Sequence, residues 1–318
     1  MNRRASSLKE GVIRCPEFDL RMTLGSGQTF HWTEIDGGYT GCIGTIPLFL
    51  RQEGDLLHHR GGDPALIADY FAFDHDLAAI RATCREHPDI LASAEACRGL
   101  RIMRQPKWEC LATFILSPMK QVAHIRQMSL ALRDRFGTKL PGMPVPAFPE
   151  PSALAAATEE ELRACGLGFR AKGLLGTAKA VASGDFDPES LSDLPTAEAR
   201  EALCTLPGIG RKVANCILLF TYERLDAVPV DVWIGRILKA LRPPRAAKLS
   251  QLELERYGER LLGPYAGYIQ QYLFHRARTG DWILPPERGR KKSATVRKKT
   301  TNRVRTMGRR VRRQESAS

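Results

Sequence analysis

The chain has 318 residues, of which 43% are hydrophobic and 26% are charged, a composition typical of a globular protein that is long enough for two domains and a sizeable core. It contains no run of the roughly 18 apolar residues that a membrane span requires, and its first twenty residues lack the apolar stretch of a secretory signal. The net charge is +13, but residues 285–318 contribute thirteen Lys and Arg against two Glu. The rest of the chain carries only about +2, so a polyanion must bind there through a local basic patch.

The eight cysteines are scattered along the chain. Their spacing includes neither a CxxC pair nor a His/Cys cluster of the kind that binds zinc. We therefore expect no metal site, and reduced, mostly buried thiols of a cytosolic type of compartment. The positions are Cys15, Cys42, Cys84, Cys97, Cys110, Cys165, Cys204 and Cys216.

Apolar and polar side chains alternate from residue 17 to about residue 60, which predicts an antiparallel sheet. Glycine pairs at 37–38 and 61–62 break this pattern, and we predict strands at residues 29–32, 39–43 and 48–50. Asp63 and Pro64 then end the strands. Helical spacing follows at residues 65–73 and 76–84.

From Trp108 onward the apolar spacing is helical almost throughout. A loop with five prolines interrupts it at residues 141–151. The predicted helices are 109–116, 121–136, 159–165, 172–183, 197–205, 211–222, 232–241, 251–262 and 265–278. The chain therefore reads as α+β, with a β-rich domain at residues 1–105, an all-helical domain at residues 106–284 and a basic tail at residues 285–318 that we expect to be disordered.

Residues 206–216, LPGIGRKVANC, carry the most informative motif. Gly208 and Gly210 let backbone N–H groups come close to a ligand, and the helix N-terminus that follows favours an anion such as a DNA phosphate. Lys212 lies on the first turn of that helix, and Asp231 precedes the next predicted helix. An amine can attack a sugar carbon to form a Schiff base. Each residue also has a plainer interpretation, since Lys212 can be a surface lysine or a phosphate contact and Asp231 a helix N-cap.

These residues resemble the helix-hairpin-helix plus Gly/Pro-Asp motif of base-excision DNA glycosylases, in the branch that carries a catalytic lysine. Some members of this superfamily hold an iron–sulfur cluster through four closely spaced cysteines after the aspartate. This chain has no cysteine after Cys216, which excludes that cluster. We therefore expect no cofactor.

A narrower resemblance is to the eukaryote-type 8-oxoguanine DNA glycosylase/AP lyase family, and it extends from about residue 19 to residue 278. It implies a TBP-like antiparallel sheet domain followed by a helix-hairpin-helix domain. It also implies a monomer that acts on double-stranded DNA containing oxidised guanine, away from membranes. The compartment would be the nucleoid-containing cytoplasm in a bacterium or the nucleus in a eukaryote. The motifs that carry it are residues 26–32 (SGQTFHW), 102–105 (IMRQ), 166–171 (GLGFRA), the hairpin, 228–232 (VPVDV) and 263–267 (GPYAG).

The resemblance implies roles at matching positions. Lys212 would be the nucleophile and Asp231 its partner carboxylate. Residues in three other segments would bind the flipped base. Phe274 and Cys216 would sandwich it, Gln270 would read its pairing edge, and the Gly27 carbonyl would accept the N7–H that distinguishes 8-oxoguanine from guanine.

The residues that would face the opposite strand depart from the family pattern. Met119 stands where an asparagine fills the space left by the flipped base, and His124 replaces one of two arginines that read the opposite cytosine. Arg170 matches the second arginine, and Phe169 replaces a tyrosine wedge. Trp233 replaces a histidine two residues after Asp231. The resemblance therefore predicts intact lesion recognition and weakened selectivity for the opposite base.

Two other functions remain open from the sequence. One is a helix-hairpin-helix glycosylase for another damaged purine, such as an alkylated base, although such enzymes do not need a lysine at position 212. The other is a noncatalytic DNA-damage-binding protein of the same fold, against which Lys212 and Asp231 argue. The basic tail can add nonspecific affinity for DNA or serve as a nuclear address, and the sequence does not separate the two.

Overall fold

The computed structural model describes residues 9–242 and 249–280. The predicted tail at residues 285–318 lies outside the described residues. None of the helices in the described ranges has both the length and the apolar character needed to cross a membrane.

The N-terminal region forms a five-stranded antiparallel sheet with the strand order β1-β5-β4-β3-β2. The buried side chains of Leu48, Leu50 and Leu57 lie on its inner face. The alternation of apolar residues thus predicted the sheet correctly, because one face is packed and the other is exposed. The strands are β1 (Glu10–Arg14), β2 (Thr33–Ile35), β3 (Gly38–Ile43), β4 (Ile46–Glu53) and β5 (Leu56–Arg60).

The predicted strand at residues 29–32 is wrong. These residues are buried but pair with no strand, and their polar atoms bond to side chains and loops instead. The Trp32 indole donates to the Tyr70 hydroxyl at 3.2 Å, and His31 Nε2 lies 2.8 Å from the Cys42 carbonyl oxygen. Strands β1, β2 and β5 were not predicted either. Strand β1 pairs with β5 across more than forty residues, which leaves no local signal, whereas β2 and β5 are short strands that pair with β3 and β4.

The helical predictions from residue 109 onward are confirmed, with ends shifted by one or two residues. Helices α1, α4 and α7 are short and were not predicted. The α-helices are α1 (Leu20–Gly25), α2 (Pro64–Tyr70), α3 (Leu77–Ala82), α4 (Pro88–Ala96), α5 (Lys107–Ile115), α6 (Val122–Phe136), α7 (Pro151–Ala155), α8 (Glu159–Ala164), α9 (Arg170–Ser183), α10 (Thr196–Cys204), α11 (Arg211–Thr221), α12 (Val232–Ala240), α13 (Gln251–Leu262) and α14 (Ala266–Thr279).

Two apolar cores hold these elements. A smaller core packs the sheet against α1 and α2 through residues such as Leu20, Leu50 and Phe71. A larger core joins the remaining helices, and it includes residues of α3 and α4 such as Ile80 and Ile90. The proposed domain boundary at residue 105 stays a prediction, because α3 and α4 precede it and yet share the core of the helices that follow.

A buried ion pair joins α5 to α6 and contacts the sheet at Cys42 of β3. The Arg133 guanidinium, on α6, donates to the Glu109 carboxylate of α5, and His31 Nδ1 lies 3.2 Å from the same carboxylate. Burial acts to raise the pKa of Glu109, but Arg133 and His31 hold it to about 2. Removing Arg133 or Glu109 would leave an uncompensated buried charge. His31 of the SGQTFHW motif lies between Glu109 and the Cys42 carbonyl of β3, so it has a structural role.

Candidate active site

The glycine-rich turn lies between α10 and α11 and packs closely on α9. Gly208 has a φ of +85°, and a Cβ atom added there would lie 3.3 Å from the Gly173 Cα. Thr177 Oγ1 donates to the Pro207 carbonyl at 3.1 Å and fixes the turn. Gly210 is the N-cap of α11, and among the described residues no side chain caps this helix. The first N–H groups of α11 are therefore available to bind an anion.

Lys212 is half-buried on the first turn of α11. Its Nζ donates to Ser117 Oγ at 3.1 Å and lies 5.9 Å from the centre of the Phe114 ring. Within residues 9–242 and 249–280, no carboxylate forms an ion pair with this amine. Cys216 follows one helical turn later and is buried, and burial raises the pKa of its thiol against the opposing effect of Lys212. Near neutral pH Cys216 is thus an uncharged thiol beside an amine.

Asp231 is the N-cap of α12, as its position in the sequence predicted. Its Oδ1 accepts a hydrogen bond from the Ile234 N–H at 2.8 Å. Burial raises the pKa of this carboxyl, while the Ile234 N–H and the charge of Lys212 act to lower it. The carboxylate is therefore close enough to Lys212 for the two charges to interact. Capping and a catalytic role are compatible at this residue.

Gly27 and Phe274 lie side by side. Gly27 has a φ of +90°, and a Cβ atom there would lie 3.0 Å from Val122 and 3.5 Å from the Phe274 ring. One helical turn before Phe274, Gln270 is only 4% exposed, and its Oε1 has no hydrogen-bond partner among the described residues. Buried polar atoms are normally paired, and this oxygen is available to accept a hydrogen bond from a ligand.

The Gly27 backbone is fixed by glutamines that the sequence analysis did not identify. Gln271 Nε2 donates to the Ser26 carbonyl at 3.0 Å, and Gln105 Nε2 donates to the Gln28 carbonyl at 2.9 Å. These bonds use the carbonyls on either side of Gly27. The Gly27 carbonyl itself accepts no hydrogen bond from the residues in the described ranges, so it can accept one from a ligand.

One loop lies next to both Lys212 and Gly27. It follows α5 and leads into α6, and it spans residues 117–121, so we call it the 117–121 loop. Ser117 at its start contacts Lys212, and Val122, just after it, packs against Gly27. The structure thus brings the predicted nucleophile and the predicted base-binding residues around one loop.

The residues predicted to face the opposite strand form an exposed surface. Met119 is 92% exposed with a φ of +58°, and Phe169 is 62% exposed. Val232 and Trp233, at the start of α12, are also exposed apolar residues. Large exposed apolar side chains often mark a binding surface, and a non-glycine residue at positive φ is uncommon. His124 is exposed on the first turn of α6.

Arg170 is the exception in this group, because it is buried. Its Nε donates to the Pro118 carbonyl at 3.1 Å, its Nη2 donates to the same oxygen, and its Nη1 donates to the Leu167 carbonyl at 3.3 Å. Arg170 therefore holds the 117–121 loop. Reading a cytosine would require an exchange of these bonds, and that role stays a prediction.

Two family models cover most of the chain. Residues 12–111 match the N-terminal domain of 8-oxoguanine DNA glycosylase. Residues 112–262 match the HhH-GPD superfamily of base excision DNA repair proteins. The match at residues 112–262 includes the hairpin, Lys212 and Asp231.

Individual proteins are similar over nearly the whole described region. The N-glycosylase/DNA lyase OGG1 of Arabidopsis thaliana is 32% identical over 81% of this chain and 77% of its own length. A probable N-glycosylase/DNA lyase of Methanothermobacter thermautotrophicus is 28% identical over 82% of this chain and 94% of its own. The crystal structure of Clostridium acetobutylicum 8-oxoguanine glycosylase/lyase, in complex with double-stranded DNA containing cytosine opposite 8-oxoguanine, superposes with a TM-score of 0.81 at 27% identity, covering 86% of this chain and 98% of that one. The chain belongs to the 8-oxoguanine DNA glycosylase family of N-glycosylase/DNA lyases, within the HhH-GPD superfamily.

Proposed function

We propose that this protein is a bifunctional DNA glycosylase and AP lyase that removes 8-oxoguanine from duplex DNA. The observation that carries the proposal is the juxtaposition around the 117–121 loop. On one side, Lys212 has an amine without a carboxylate ion pair among the described residues. On the other, Gln270 presents a buried oxygen with no partner in the described ranges. The first suits attack on a sugar, and the second suits recognition of a base.

Lesion recognition would use complementary hydrogen bonds. The Watson–Crick edge of 8-oxoguanine carries N–H donors that the Gln270 oxygen can accept. Its N7–H can donate to the Gly27 carbonyl, whereas guanine presents a lone pair there and is repelled. The Phe274 ring and the neutral Cys216 thiol would pack on the two faces of the base.

Base excision and strand cleavage would use side chains of this protein and no cofactor. The neutral Lys212 amine attacks C1′ of the flipped nucleotide, the C1′–N9 bond breaks, and the base leaves with its bonding electrons and takes up a proton. The sugar ring then opens to give a Schiff base between Nζ and C1′. Loss of a C2′ proton expels the 3′ phosphate by β-elimination, and hydrolysis of the Schiff base returns the free amine.

Asp231 would stabilise the positive charge that develops on the sugar as the glycosidic bond weakens. Its carboxylate is held in place by the N-cap hydrogen bond to Ile234, so the charge is fixed before the substrate binds. The ionised form is the one that can act, although burial raises the pKa of this group.

DNA would be held by the hairpin N–H groups next to Gly208 and Gly210. Met119 and Phe169 would enter the duplex beside the flipped base. We propose that the enzyme acts as a monomer without a metal or cofactor. Its place in the cell would be where the DNA is, the nucleoid-containing cytoplasm of a bacterium or the nucleus of a eukaryote.

Borohydride trapping tests this proposal. The full-length protein is incubated with duplexes that carry 8-oxoguanine opposite each of the four bases, and with a matched duplex that carries guanine. We expect a covalent adduct and strand cleavage on the 8-oxoguanine duplexes and none on the guanine duplex. Binding of the lesion without excision would indicate a noncatalytic damage-binding protein, and excision of an alkylated purine in place of 8-oxoguanine would indicate another glycosylase.

A further inference from the structure

We infer that Ser117 is a positioning residue that aims the Lys212 amine at the sugar, and this inference rests on the proposed function above. The contact that carries it is the hydrogen bond from Lys212 Nζ to Ser117 Oγ at 3.1 Å. Lysine has a long, flexible side chain, and a nucleophile must be held in one place to react quickly. Ser117 supplies that restraint from the 117–121 loop, whereas Lys212 lies on α11.

The backbone of Ser117 is held by hydrogen bonds. The Ser117 N–H donates to the Phe114 carbonyl at 3.1 Å, and the Lys120 N–H donates to the Ser117 carbonyl at 3.2 Å. The side chain is only 6% exposed. Both backbone groups of the residue are therefore bonded, in two consecutive turns after α5, so the fold fixes the backbone that carries Oγ.

Other contacts of the amine do not restrain it in the same way. The Phe114 ring lies 5.9 Å from Nζ and attracts a cation without fixing its direction. The neutral Cys216 thiol is a weak hydrogen-bond acceptor. An ion pair with a carboxylate would fix the amine but also hold its proton. A serine hydroxyl directs the amine without adding a negative charge, which suits a group that must lose a proton before it attacks.

The hydroxyl also connects the nucleophile to the DNA-facing surface. Ser117 begins the loop that carries Met119, and Arg170 holds the neighbouring Pro118 carbonyl. A displacement of this loop would move the acceptor of the Lys212 hydrogen bond. The amine is therefore aimed correctly only when the 117–121 loop is in place.

The test compares Ser117→Ala with wild type under single-turnover conditions at saturating enzyme, on an 8-oxoguanine duplex and on an abasic-site duplex. We expect Ser117→Ala to slow both base excision and borohydride trapping of the abasic site about 10- to 100-fold, because the amine loses the hydrogen bond that fixes its direction. The dissociation constant for DNA should change by less than about threefold. Ser129→Ala is the matched control, because it removes another buried serine hydroxyl, one on α6 that has no hydrogen-bond partner among the described residues.

A pair of isosteric variants isolates the hydroxyl even if Ser117→Ala fails to fold. Ser117→Thr keeps Oγ and should restore trapping to within about threefold of wild type, whereas Ser117→Val has the same shape without the hydroxyl and should remain slow. Equal rates for the Thr and Val variants would overturn the inference, as would a loss of DNA binding with an unchanged trapping rate. If wild type itself forms no adduct, the proposed function fails instead, so the two failures are distinguishable.

Discussion

Gln270 and Cys216 are each 4% exposed, whereas Met119 is 92% exposed and Phe169 is 62% exposed. The first pair belongs to the proposed base pocket, and the second belongs to the surface proposed to face the opposite strand. In the pocket, the backbone on either side of Gly27 is fixed by buried hydrogen bonds, such as the one from Gln271 to Ser26. On the surface, the exposed Met119 side chain lies on the 117–121 loop, and the exposed Phe169 side chain lies at the start of α9.

The difference in burial explains why the two regions follow the family pattern unequally. A substitution at Gln105 or Gln271 removes a buried hydrogen bond beside Gly27 and so costs stability as well as recognition. A substitution at Met119 or His124 changes only what the side chain offers to DNA. Lesion recognition is thus set by the fold, while the reading of the opposite base can vary.

The largest expected effect is at the nucleophile. Lys212→Gln should abolish borohydride trapping and strand nicking, a loss of about 10³-fold or more, because the amide cannot form a Schiff base. DNA binding should remain, since the pocket and the hairpin are unchanged. Trapping gels and a binding isotherm measure the two effects. Lys179→Gln, at an exposed lysine on α9, serves as the control, and normal trapping by the Lys212 variant would refute the assignment.

The next effect is at Asp231. Asp231→Asn should slow base excision by about 10²-fold, because it removes the charge that stabilises the developing cation. The amide oxygen can still accept the Ile234 hydrogen bond, so the melting temperature should change little. Asp76→Asn is the matched control, since the Asp76 side chain caps α3 by accepting a hydrogen bond from the Ala79 N–H, also three residues later. If Asp231→Asn strongly lowers stability but leaves the excision rate per folded molecule unchanged, Asp231 serves only as a helix cap.

The pH dependence of the same residue gives a separate check. Burial raises the pKa of Asp231, so the folded protein holds this proton more tightly than the unfolded chain. The contribution of Asp231 to the free energy of unfolding therefore falls as the pH rises from the ordinary aspartate range through the raised pKa. The excision rate should rise over that same interval, as the carboxylate forms. The acid limb of the rate profile should lie above the ordinary aspartate pKa and be absent in Asp231→Asn.

Smaller effects are expected in the base pocket. Gln270→Ala and Phe274→Ala should each cost about 1–3 kcal/mol in the specificity constant for 8-oxoguanine, through lost edge contacts or lost stacking. Cleavage at an abasic site should be nearly unaffected, because that substrate has no base to bind. Gln127→Ala, on the exposed face of α6, is the control. Equal losses on both substrates would show that these residues act on the lysine or the fold.

The smallest effect is expected on the exposed surface. Met119 offers no amide and His124 is shorter than arginine, so wild type should excise 8-oxoguanine opposite adenine, guanine or thymine within about tenfold to hundredfold of the rate opposite cytosine, at ~1–3 kcal/mol per missing contact. The double change Met119→Asn and His124→Arg should sharpen the preference for cytosine. A wild-type preference above about a thousandfold would mean that other residues, such as Arg170, read this base.

The helical half of the fold could be predicted from the sequence because its signals are local. The cap at Asp231, the glycines of the hairpin and the apolar spacing of α11 all lie within a few residues of the elements that they define. The region before residue 105 was harder to predict. Strand β1 finds its partner in β5 across more than forty residues, and residues 29–32 have a strand-like pattern because they are buried, not because they pair.

The candidate site could likewise be predicted only where its signals are local or are carried by the resemblance. The motif spacing indicated Lys212 and Asp231, and the resemblance indicated Gly27, Gln270 and Phe274. Nothing in the sequence indicated that Ser117 contacts Lys212, since the two residues are 95 positions apart. The bonds from Arg170 to Pro118 were equally hidden, because they depend on how the 117–121 loop packs against the start of α9.

The most direct test of the account is to locate the covalent bond. Full-length wild-type protein is trapped with borohydride on a duplex that carries 8-oxoguanine opposite cytosine, then digested and analysed by mass spectrometry. The proposed mechanism predicts one modified peptide, with the reduced sugar adduct on Nζ of Lys212. An adduct on another lysine or on the N-terminal amine would contradict it, as would excision of the base without any adduct.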